Sequence, residues 1–147
     1  YVSSSTGKDG NSGLSPGSPL ASLTATSRKF PRLNAGDAIR LLEGDVWKDD
    51  PLVTCATGNR SAPAIVGAYS LSSIGGVITH RPHLSMSQGS TRPSVTLLNS
   101  SYVEVSELVV SGGQEGLRIL FSNASATSNG FDPAVFPGIS VTDCFFT

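Results

Sequence analysis

Tyr102–Val110 reads YVEVSELVV, and 36 residues later Gly138–Phe146 reads GISVTDCFF. Val103, Val105, Leu108 and Val110 align with Ile139, Val141, Cys144 and Phe146 at that same offset. The shared pattern is apolar-x-apolar, a two-residue corner, then apolar-x-apolar. Successive side chains of a strand point to opposite faces, so each half of the pattern is a strand with one buried face. The corner breaks the period of two, as it does in a chain that winds round a prism and stacks coil on coil over one elongated core. An offset of 36 exceeds a plain coil, and the polar, Gly/Pro-rich stretch at about 122–138 reads as a loop inserted into this turn.

The rest of the chain agrees with an all-β solenoid. AIRLLEG, PLVTCA, PAIVGAY, GGVITH, SVTLLNSS and EGLRILFSN are short apolar runs bounded by Gly, Pro, Asn or Ser. They are rich in Val, Ile, Leu and Thr, which is strand chemistry. The 16 glycines and 9 prolines supply the turns. No long segment has helical period, which disfavours alternating βαβ units. A β-sandwich would use the same runs, but Asn-Gly or Asp-Gly hairpin turns between neighbouring strands are missing. The expected organisation is an irregular N-terminal cap over residues 1–36, with one short helix within Pro19–Arg28. The first coils of a β-helix follow over residues 37–147.

Charge excludes some partners. Charged residues make up 14% of the chain and the net charge is −1, so no basic stripe favours nucleic acid. No run reaches the ~20 apolar residues of a membrane span, and a start at Tyr1 fits a processed N-terminus. Cys55 and Cys144 are either one disulfide or two free thiols. Asn59, Asn99 and Asn123 each open an N-x-Ser sequon near an expected turn, which makes them candidate glycosylation sites on a secreted or cell-surface protein.

The N-terminal half resembles the secreted right-handed parallel β-helix proteins of the pectate-lyase-like group. Tyr1-Val2-Ser3, the turn Gly7–Gly13 and Ser18-Pro19 match the opening of that family. Ala35-Gly36-Asp37, Ile39–Leu42, Gly44–Trp47 and APAIVGAYS match its first coils. The resemblance implies a right-handed helix whose N-terminal segment covers the first coil. The group includes polysaccharide lyases, glycoside hydrolases, tailspikes, adhesins and structural proteins, so it fixes fold better than function.

Lyases of this fold need a base and often Ca²⁺, and hydrolases need two carboxylates at a set separation. Few residues fit. Glu104 and Arg118 should face outward as solvated side chains. His80 and His83 have metal-ligand spacing but no third ligand nearby. KDGNSG (Lys8–Gly13) has one acidic residue where a Ca²⁺ loop has several. Asp45, Asp49 and Asp50 flank Trp47, which is either a sugar platform or a plug over the first coil. No catalytic residue, metal ligand or cofactor is assigned.

Two functions remain. The first is an extracellular structural module, glycosylated and self-associating head-to-tail through its last coil, with Ile139, Val141, Cys144, Phe145 and Phe146 as the assembly edge. A polysaccharide is its other expected partner. The alternative is the N-terminal part of a polysaccharide lyase or glycoside hydrolase whose catalytic coils lie beyond Thr147.

Overall fold

The computed structural model describes residues 1–72, 77–121 and 138–147. Among the described residues one helix, α1 (Leu23–Lys29), precedes twelve short strands. The first coil holds β1 (Arg32–Asn34), β2 (Ala38–Leu42) and β3 (Val46–Lys48). The second holds β4 (Leu52–Thr57), β5 (Ala64–Tyr69) and β6 (His83–Ser85). The third holds β7 (Val95–Leu98), β8 (Val103–Ser106) and β9 (Val109–Ser111), and the fourth β10 (Leu117–Leu120), β11 (Ile139–Thr142) and β12 (Phe145–Phe146). Each coil gives one strand to each of three parallel sheets: β1-β4-β7-β10, β2-β5-β8-β11 and β3-β6-β9-β12. This is a parallel β-helix.

The repeat read in the sequence is the register of the last two coils. Val103 pairs with Ile139, Val105 with Val141 and Val110 with Phe146. Leu108 and Cys144 occupy the corner between, Leu108 fully buried and Cys144 packed against the core. The inserted loop read at about 122–138 lies outside the described residues except for Gly138, and Asn123 lies outside them too.

Inward side chains form ladders along the helix axis. Ile39, Val66, Val105 and Val141 stack in the second sheet. Trp47, Leu84, Val110 and Phe146 stack in the third. Each large apolar side chain so buried contributes ~1.5–3 kcal/mol. The ladders are dry for three coils and open at the fourth, where Val141 is 41% and Phe146 48% exposed.

The cap closes the other end. Val2 bridges in parallel to both Leu20 and Leu41, which adds two short layers beneath β2. Helix α1 is the expected short helix and runs one residue past Arg28; its start is set by capping. Ser22 is the N-cap, its hydroxyl accepting from Ala25 N at 3.0 Å. Asp9 accepts from Ala21 N, Ser22 N and the Ser22 hydroxyl. Asp50 accepts from Leu23 N at 2.6 Å and from Thr24 N and Oγ1.

Two elements differ from expectation, and Trp47 takes the plug reading of its two. The stretch read as cap supplies β1 to the first coil. GGVITH is not a strand where it is described; the third-sheet strand of that coil is β6, which begins at His83. Trp47 is 3% exposed, and its indole N–H donates to Ala21 O at 2.9 Å, so the cap sits on it.

Candidate functional site

Most residues singled out by the sequence are structural. Asp45 is buried and accepts from the Ser3 hydroxyl at 2.7 Å and Ser5 N at 3.3 Å. Asp49, in the left-handed conformation at φ 53°, accepts from Ser87 N and its hydroxyl. Arg118 is held bidentately by Glu115 on the outer face of the first sheet. His80 Nδ1 bonds the Thr79 hydroxyl, whereas His83 Nε2 bonds Ser111 Oγ at 2.6 Å on the outer face of the third sheet. Among the described residues no three His, Cys, Asp or Glu side chains converge to hold a metal.

The cysteines are free. Cys55 Sγ donates to Asn99 O and Cys144 Sγ to Val105 O. Burial pushes the Cys144 thiol above its ordinary pKa. At the exposed edge, the Arg81 guanidinium lies 4.9 Å from the centre of the Phe145 ring, and its Nε donates to Asp143 O at 2.9 Å.

One arrangement has polar groups that the fold itself does not use. A cleft of ≈ 310 Å³ on the second sheet's outer side is lined by Asn59, Arg60, Pro63, Tyr102, Val103, Glu104, Gly138 and Ser140. Three successive coils build it: the second supplies Asn59–Pro63, the third Tyr102 and Glu104, the fourth Ser140. Register explains why Glu104 is there. It pairs with Ile65 below and Ser140 above, one position off the inward ladder of Val103 and Val105. The Asn59 side-chain oxygen accepts from Ser61 N and Ala62 N, which fixes the turn and leaves its amide nitrogen as the free end.

Tyr102 sits at φ 48°, uncommon for a bulky residue. Such a conformation costs of order 1–3 kcal/mol and persists only where neighbours impose it. Here Ala64 N donates to Tyr102 O at 3.0 Å, and Val103 N donates to Gly138 O at 3.0 Å. A Cβ at Gly58 would come 2.3 Å from Tyr102 O, and one at Gly138 would come 2.5 Å from the Tyr102 ring. Two glycines therefore admit the tyrosine from below and above. Glu104 and Arg60 line the cleft without joining in an ion pair; the pair found among the described residues is Glu115–Arg118.

Of this lining, the sequence pointed to Glu104 as outward and to Asn59 as a sequon. Arg60, Pro63, Tyr102 and Ser140 were missed. The offset of 36 did place Ser140 over Glu104, and an alignment of PAIVGAY under YVEVSEL would have added the turn at Asn59.

No protein-family model matches the chain. A lacto-N-biosidase of Bifidobacterium longum subsp. longum is 37% identical over 70 residues, which is 47% of this chain and 4% of that protein. The crystal structure of the GH136 lacto-N-biosidase from Eubacterium ramulus superposes with a TM-score of 0.67 at 21% identity, over 99% of this chain and 26% of that one. Its selenomethionine derivative gives 0.66 at 20% identity. The chain thus spans about a quarter of the solved relative and a small part of the curated one. At these identities the structural likeness concerns fold. It agrees with the expected parallel β-helix. Of the two expected functions, the glycoside-hydrolase alternative is the one these relatives match; the structural-assembly function gains nothing from them.

Proposed function

We propose that the chain forms the capped first coils of a carbohydrate-active β-helix of the glycoside-hydrolase kind, with the second-sheet cleft turned toward its glycan. The observation that carries this is the likeness in fold, over 99% of the chain, to a GH136 lacto-N-biosidase. The 37% identity to a second lacto-N-biosidase supports it.

Glycoside hydrolysis uses two carboxyl groups, about 5–5.5 Å apart for retention or 6.5–9.5 Å for inversion. The cleft holds one carboxylate, Glu104. We assign the reacting pair to coils outside these 147 residues and give this segment the work of capping and substrate positioning. A secreted or surface location fits a glycan-directed protein. A glycan on Asn59 would fill the cleft, so that sequon is assigned as unmodified.

The test is an assay of the full-length gene product on a chromogenic aryl lacto-N-bioside. Release of the aglycone is expected. Release of unsaturated uronides from a polyuronate would make the protein a lyase instead, and release of neither would overturn the enzymatic assignment.

A further inference from the structure

We propose that the cleft between Arg60 and Glu104 is a subsite for one neutral pyranosyl unit, a proposal that rests on the function given above and names the ligand of that same site. The lining carries one carboxylate and one guanidinium, so its charges cancel. A uronide would meet Glu104 and an amine would meet Arg60. An uncharged polyol meets neither penalty and uses both groups. The carboxylate accepts from neighbouring sugar hydroxyls, while Arg60, the Asn59 amide and Ser140 donate to ring and hydroxyl oxygens.

These groups are poised for an outside partner. The side chains of Glu104 and Arg60 have no hydrogen bond or ion pair to another described residue. The Asn59 oxygen is spent on its turn, which aims the remaining chemistry of that side chain through its N–H groups. Tyr102 and Pro63 add flat apolar walls for the C–H face of a sugar ring. The missing side chains of Gly58 and Gly138 leave room for the Tyr102 backbone and ring. A volume of ≈ 310 Å³ falls at the small end of ligand sites, ~300–1,000 Å³, and suits one sugar unit with its neighbour outside.

The test is an NMR titration of the ¹⁵N-labelled 147-residue chain with galactose, N-acetylglucosamine and lacto-N-biose. Glucuronate and glycine are the charged and zwitterionic controls. Saturable shifts at the amides of Arg60, Tyr102, Glu104 and Ser140 are expected with at least one neutral sugar, with a Kd on the order of 1 mM. Glu104→Gln and Arg60→Ala should each weaken binding about tenfold, the loss expected for one hydrogen bond to a charged group, with the remaining spectrum unchanged. Glutamine keeps the size and shape of the half-buried Glu104, and the unchanged remaining spectrum reports that the fold is kept. The proposal is overturned if neutral sugars leave these amides unmoved, if glucuronate or glycine moves them instead, or if sugar binding survives both substitutions. Binding is read without turnover. Hydrolysis by the full-length protein without binding here removes the subsite alone, and binding here without hydrolysis removes the enzymatic assignment alone.

Discussion

Gly112 shows how little freedom single positions in this fold retain. Its φ is +69°, and a Cβ there would lie 1.9 Å from Met86 O, a backbone atom of the coil below. Met86 cannot move without disturbing its own bond to Ser111 O. Gly112→Ala is therefore expected to destabilise the chain by more than about 1 kcal/mol, seen as a lowered urea midpoint with unchanged slope. Tyr69 offers a different handle. Burial first, then Asp45 and Tyr1, push its phenol up to about 12 from an ordinary 10.0. Its neutral form is favoured in the folded chain. Stability from this group is complete below pH 10 and is lost as pH rises toward 12, because the unfolded chain releases the proton earlier. A spectrophotometric titration should show one tyrosine ionising late, and melts above pH 10 should fall.

Strand length decided which elements could be read in advance. β2, β4, β5 and β8 span four to six residues with at least two inward positions, so their alternation is visible. β1, β3 and β6 have three residues and one inward side chain each: Leu33, Trp47 and Leu84. A single apolar residue has no period, and these strands exist because neighbouring coils pair with them. The same dependence hid most of the cleft. Asn59 and Ser140 are far apart in sequence and meet only through register. Glu104 was legible as outward because Val103 and Val105 frame it. Leu84, stacked between Trp47 and Val110, tests the ladder itself. Leu84→Ala should cost about 2–5 kcal/mol, the range for a buried leucine whose site collapses only partly. A loss below about 1 kcal/mol by calorimetry would show that the third sheet is not packed as described.

The whole molecule is a short solenoid stitched by carboxylates at its turns. Hydrogen bonds hold four of them below their ordinary range, Glu115 through Arg118. Glu43 accepts from Ser70 and Thr79, Asp49 from Ser87, and Asp9 from Ser22 and Ala21. Each depressed pKa contributes stability that is present above the ordinary values of 4.5 and 3.8 and is lost as pH falls through the lower folded values. Thermal midpoints should hold steady from neutrality down to about pH 4.5 and decline below it. A decline setting in near neutrality would point to groups other than these. What joins this scaffold to its assigned role is the cleft built by three coils at once, and a crystal of the chain soaked with lacto-N-biose tests both together. Val66 is expected stacked between Ile39 and Val105, with one sugar ring against Tyr102, between Arg60 and Glu104. A sugar bound elsewhere, or an empty cleft in a crystal saturated with the disaccharide, would contradict this.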